Sequence, residues 1–177
     1  VPLSNLIGSA LDFDLQVKFH ADFPIDLAVF GVNSIDKLFA DEYMVFYGNP
    51  LSPNGAVKLT EENGKNVFKF DLSKHTETIV EKFILCASVD HPTKTMKDIQ
   101  SGMIELVKNG QTVATFVISP DLFKNEKAVM LSNVYHKNVW RFGAIGQGFD
   151  GGLPALVEYF GGEVEQSEDQ PKTSSVD

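Results

Sequence analysis

Helical periodicity is confined to one stretch near the end of the chain. Leu153, Leu156, Val157 and Phe160 recur at i, i+3, i+4 and i+7, which places four apolar side chains on one helical face. Gly146, Gly148, Gly151 and Gly152 lead into it and mark a loop that needs positive φ or close backbone approach. Pro154 suits the first turn and Gly161 the end. Two turns of helix are not stable alone in water, so this face must dock on something larger.

What precedes it reads as strands. Leu11, Phe13, Leu15, Val17 and Phe19 alternate with Asp12, Asp14, Gln16, Lys18 and His20, giving a strand with one wet face. Ile25 to Val32, Tyr43 to Tyr47 and Phe83 to Val89 are nearly continuous apolar runs, as in strands covered on both sides. Ala56 to Thr60 and Val67 to Leu72 form two more, joined by a connection over 61–66. Met103 to Val107 and Gln111 to Ile118 flank Asn109-Gly110, a strong hairpin signal. Val129 to Val134 and Val139 to Ile145 make a second hairpin around His136-Lys137-Asn138. Residues 1–10 show no period and read as an extended lead-in. About nine strands with short turns and one short C-terminal helix imply an all-β fold, a two-sheet β-sandwich.

Fourteen phenylalanines against one tryptophan suit a sheet core. The net charge of −9 argues against a nucleic-acid binder, which needs a basic stripe. Five acidic residues against Lys172 place −4 of it in residues 163–177, which read as a disordered acidic tail behind a domain over 1–162. The single cysteine, Cys86, lies in an apolar run, so a buried thiol in a reducing, cytoplasmic setting is expected. No stretch resembles a signal peptide or reaches the roughly 18 apolar residues of a membrane span. A start at Val1 rather than methionine is what a processed or excised chain shows.

Four blocks, in order, carry a family resemblance. Asp41-Glu42-Tyr43-Met44-Val45-Phe46-Tyr47-Gly48-Asn49 with Ser52-Pro53-Asn54-Gly55, Phe70-Asp71-Leu72-Ser73, Val134 to Phe142, and Gly146-Gln147-Gly148-Phe149-Asp150-Gly151-Gly152-Leu153 are similar to segments of the TerD-type tellurium-resistance (stress-response) domain. The resemblance covers roughly residues 11–161. It implies the same sandwich and a non-enzymatic binding or scaffold module in tellurite, phage or envelope stress. The partners implied are other proteins, in a complex near the membrane, with a homo-oligomer as a further option. The alternative is a structural assembly subunit that has lost metal binding.

The resemblance also implies calcium. A hard cation takes six to eight oxygens, commonly from carboxylates on loops. Matched residue by residue, the second aspartate of the family's strand motif is Asp26, the first is replaced by Pro24, and a later-loop aspartate is Asp90. Asp41 would add oxygens if its loop folds toward Asp26. The family's long acidic loop is shortened here to Glu61-Glu62-Asn63-Gly64-Lys65-Asn66. Calcium binding is therefore expected to be weak or lost, since ligand charge tunes affinity. Asp26 has a plainer role open to it, anchoring a turn. No constellation supports catalysis: there is no Gly-x-Ser-x-Gly, the four histidines are scattered, and Asp90-His91 is the one acid–histidine neighbour pair.

Overall fold

The computed structural model describes residues 1–161. Alternation decides the first sheet: β1 (Asp12–His20) turns Phe13, Leu15 and Val17 into the core and leaves His20 exposed. It lies between β5 (Lys65–Asp71) and β7 (Ser101–Lys108), with β4 (Val57–Glu62) and β8 (Gln111–Ile118) at the edges. The second sheet runs β10 (Val139–Ala144), β9 (Ala128–Lys137), β6 (Lys82–Val89), β2 (Ile25–Val32) and β3 (Met44–Val45), and the two-residue β11 (Gly148–Phe149) pairs with β9. All the pairings are antiparallel. The all-β sandwich expected from the sequence is therefore present, its nine longer strands supplemented by two short ones.

Phenylalanine fills the space between the sheets. Phe13 stacks on Phe70 at 4.9 Å, Phe70 meets Phe83 edge-on at 6.0 Å, and Phe116 lies 5.1 Å from Phe142. Such pairs contribute beyond their buried area when offset or edge-on.

β2 and β6 are covered on both faces. Leu27 and Val29 enter the main core, whereas Ala28, Phe30 and Val32 point the other way, into a second cluster with Ile84, Cys86 and Met130. The terminal helix, α2 (Gly152–Tyr159), closes that cluster with Ala155, Leu156 and the following Phe160. Leu153 and Val157 sit half-buried at its margin, so the buried face is rotated toward Ala155 from the one the large apolar residues define. Burial pushes the Cys86 thiol well above its ordinary range, which makes it a packing group rather than a nucleophile.

Three local expectations are corrected. The lead-in contains a one-turn helix, α1 (Ser4–Ile7), with Leu3 and Ile7 buried; four residues are too few to show a period. Leu3 N–H donates to the Trp140 carbonyl at 2.9 Å and Phe142 N–H to the Val1 carbonyl at 2.8 Å, so the lead-in covers the edge of β10. The expected strand over 43–47 shrinks to Met44–Val45 because Asp41–Tyr43 forms a 3₁₀ turn. The connection over 61–66 is a hairpin whose turn is Asn63-Gly64 alone, with φ of 53° and 75°. Asn109-Gly110 has φ of 52° and 78°, the same left-handed pair that the twist of a two-residue hairpin favours.

One buried hydroxyl lacks a partner. Ser132 is 2% exposed, and its Oγ has no hydrogen bond among the described residues. It pairs with Leu85 beside the β-bulge where the β6–β9 register shifts. An unsatisfied buried polar group costs about 1–3 kcal/mol. Ser132→Ala should therefore leave the urea midpoint unchanged or raise it, and a clear fall would show that the hydroxyl is satisfied.

Candidate functional site

The ends of β2 and β6 are tied together at one pole of the second sheet. Asp26 is opposite Ser88 in the ladder, and the Asp90 N–H donates to the Pro24 carbonyl at 3.1 Å. This bond brings Asp26 and Asp90 to the same end. Beyond Asp90, the Lys127 ammonium donates to the carbonyls of His91 at 3.1 Å and Pro92 at 3.2 Å, pinning the loop.

Period two explains where Asp26 points. It shares parity with Ala28, Phe30 and Val32, whose side chains lie under α2. Asp26 falls at the margin of that cover, half-buried, while Asp90 is exposed. Burial raises the Asp26 carboxyl above its ordinary range, and the negative charge of Asp90 raises it further. Among the described residues neither carboxylate has a hydrogen bond or salt bridge.

Asp26 also lines an apolar cleft of about 90 Å³ with Ala28, Met44, Phe46, Leu153 and Leu156. Tyr47, 79% exposed, stands at its rim. Nothing local in the sequence marked this cleft. It arises because α2 covers only part of the face on which the even-numbered residues of β2 point.

The third acidic residue of the expected set behaves differently. Asp41 is exposed, in the 3₁₀ turn before β3, and no three His, Cys, Asp or Glu side chains among the described residues are grouped to hold a metal. Asp90 and His91 form no acid–base pair either: His91 Nδ1 accepts from the Thr93 N–H at 3.2 Å, and its ring lies 6.1 Å from Phe23. Arg141, next to Trp140 in the last hairpin, donates from Nε to the Lys137 carbonyl at 3.1 Å.

Comparison with known proteins decides the family. The model of the TerD domain matches residues 4–160. The chain belongs to the TerD domain family. Tellurium resistance protein TerA from Alcaligenes sp is 34% identical over 128 residues, 68% of this chain and 35% of that protein. The chain thus spans about a third of TerA's length. Tellurium resistance protein TerD from Serratia marcescens is 27% identical over 169 residues, 88% of this chain and 86% of TerD. The crystal structure of a homologue of telluride resistance protein (TerD) from Streptomyces coelicolor A3(2) superposes with a TM-score of 0.64 at 16% identity, covering 84% of this chain and 95% of that one. At that identity it speaks for the fold.

In this TerD domain the 61–66 connection is the Asn63-Gly64 turn between paired strand residues. The turn lies at the same pole as Asp26, since Gly64 and Asn66 share a cleft with Ile25 and Leu27. It brings no carboxylate of its own. Glu62 is engaged by Lys69 at 3.1 Å and by the Thr60 hydroxyl at 2.9 Å. The Lys65 ammonium is held by Glu105 at 3.3 Å and Gln16 at 3.5 Å on the outer face of the first sheet. No helix among the described residues is long and apolar enough to cross a membrane.

Proposed function

We propose that this TerD domain is a non-enzymatic binding module of a tellurite or envelope-stress response in the cytoplasm. It acts by holding other proteins, with Asp26 and Asp90 as a weak calcium site. The observation that carries the calcium reading is the Asp26–Asp90 pair: two carboxylates at tied strand ends, one of them half-buried and raised first by that burial and then by the charge of the other. A divalent ion would relieve their mutual repulsion, with waters and backbone oxygens completing its shell. Two carboxylates put the site at the weak end of the calcium range, roughly 10⁻⁴ to 10⁻³ M.

Ligand linkage sets the expected response. At micromolar calcium the stabilisation RT ln(1 + [L]/Kd) is close to zero, and at ten times Kd it is about 1.4 kcal/mol. Calorimetry should detect binding only in the millimolar range, and Asp26→Asn or Asp90→Asn should abolish it. Submicromolar binding would mean that other ligands complete the site. The two-residue Asn63-Gly64 turn favours the second reading, an assembly subunit that has dispensed with metal. That reading predicts no heat from calcium at about 10 mM, tenfold above the weak limit of two-carboxylate sites.

A further inference from the structure

A second cleft, of about 250 Å³, opens between the 75–81 connection and the β9–β10 hairpin. Its lining includes His75, Glu77, Glu81, His136 and Trp140, the only tryptophan of the chain. The walls rest on fixed backbone. Trp140 is directly opposite His136 in the ladder, with their rings 5.2 Å apart, and Phe83 backs the indole at 6.2 Å. His75 stands edge-on to the indole at 6.0 Å. Its Nε2 is 2.8 Å from the Val80 carbonyl, which can only accept, so this nitrogen carries the proton. The backbone of Glu81 is bonded on both sides: its N–H donates to the Val32 carbonyl at 2.9 Å, and its carbonyl accepts from the His136 N–H at 2.8 Å.

The charge in this cleft is one-sided. Among the described residues no lysine or arginine lines it, and neither Glu77 nor Glu81 has a salt bridge. Glu77 is oriented by accepting from the Ile79 N–H at 3.2 Å, which leaves its second oxygen open. Two carboxylates beside an indole are the elements that recognise a flat organic cation: the ring attracts its face and the carboxylates accept its N–H groups. A guanidinium meets both demands, whereas an ammonium is a point charge that does not stack. Ile79, 52% exposed, lies in the 75–81 connection between the lining residues Thr78 and Val80, an apolar neighbour that a bare cation would not use.

We infer that this cleft binds an arginine side chain presented by a partner protein segment with apolar neighbours. The inference rests on the reading of the domain as a protein-binding module but not on its calcium site, so it is tested in chelator. Trp140 supplies a single-residue fluorescence reporter. The probes are the capped tripeptide Leu-Arg-Leu, the same peptide with neutral citrulline for arginine, and methylguanidinium alone. The arginine peptide should change Trp140 emission saturably, with citrulline and methylguanidinium each weaker by about tenfold or more. Glu77→Gln with Glu81→Gln should weaken the arginine peptide by a similar factor. Glutamine keeps the Ile79 contact, and an unchanged thermal midpoint would show that the fold survives. Equal binding of the citrulline peptide, or of the double variant, would overturn the cation assignment. Equal binding of methylguanidinium would overturn the peptide assignment. A failure here with millimolar calcium binding intact would count against this cleft alone.

Discussion

Phe160→Ala is expected to lower stability by about 3–4 kcal/mol, the range for removing a fully buried aromatic. Phe160 is 0% exposed, stacks on Phe30 at 4.5 Å and meets Tyr159 at 5.3 Å. Its carbonyl also accepts from the Leu38 N–H at 2.8 Å, fastening the end of α2 to the loop after β2. The second cluster is small, so the loss of one ring opens a cavity that its few neighbours cannot refill. For a domain of this size the effect corresponds to a fall of roughly 6–16 °C in the thermal midpoint. A urea titration showing a change within about 0.5 kcal/mol, the scale of surface substitutions, would mean that α2 does not cover the sheet.

Gly31→Ala should be the next most damaging change. A Cβ at Gly31 would sit 2.8 Å from Tyr43 Cδ1 and 3.0 Å from Tyr43 Cβ. Tyr43 is 5% exposed and stands edge-on to Phe39 at 5.7 Å and to His75 at 6.4 Å, so it has little room to retreat. Overpacking of this kind typically costs about 1–3 kcal/mol. The shift should appear in the denaturation midpoint, with the slope unchanged. Gly31→Ala at wild-type stability would show that the Asp41–Tyr43 turn moves freely, and would loosen the placement of Asp41 as well.

The sandwich was clearly legible in the sequence because each level agreed. Strict alternation placed Phe13, Leu15 and Val17 inward, apolar runs marked β2 and β6 as central, and Asn109-Gly110 fixed a hairpin. Features that depend on neighbours distant in sequence were not legible. The rotation of the α2 face toward Ala155 follows from the shape of the cluster over Phe30 and Cys86, not from a helical wheel. The shrinkage of β3 follows from Tyr43 lodging against Gly31. Asn63-Gly64 carries an ordinary turn signal, but its tightness follows from β4 and β5 pairing as far as Glu62 and Lys65.

At the candidate site, the resemblance pointed to Asp26 and Asp90 without a geometry, and the Asp90–Pro24 backbone bond supplies the reason they share one end. Asp41, a third ligand only if its loop folded toward Asp26, is exposed in the 3₁₀ turn before β3. The Trp140 cleft was invisible because its two walls, the 75–81 connection and the β9–β10 hairpin, are distant in sequence and only the sheet brings them together.

The Asp26–Asp90 pair provides the most direct test. The folded state raises the Asp26 carboxyl above its unfolded value, by burial first and by Asp90 second. A raised carboxyl favours folding while protonated, and that contribution is lost as pH rises through the folded-state value. Near pH 7, without metal, ionised Asp26 is therefore a liability, and Asp26→Asn should match or exceed the wild type in thermal midpoint. Calcium should reverse the order. The decisive measurement is the thermal midpoint of wild type and Asp26→Asn at pH 7, each in chelator and in about 10 mM calcium, tenfold above the weak limit of such sites. The expected result is a wild-type midpoint that rises with calcium and a variant midpoint that does not move. A variant less stable than wild type in chelator, with neither protein responding to calcium, would show that Asp26 anchors the strand end and binds no metal.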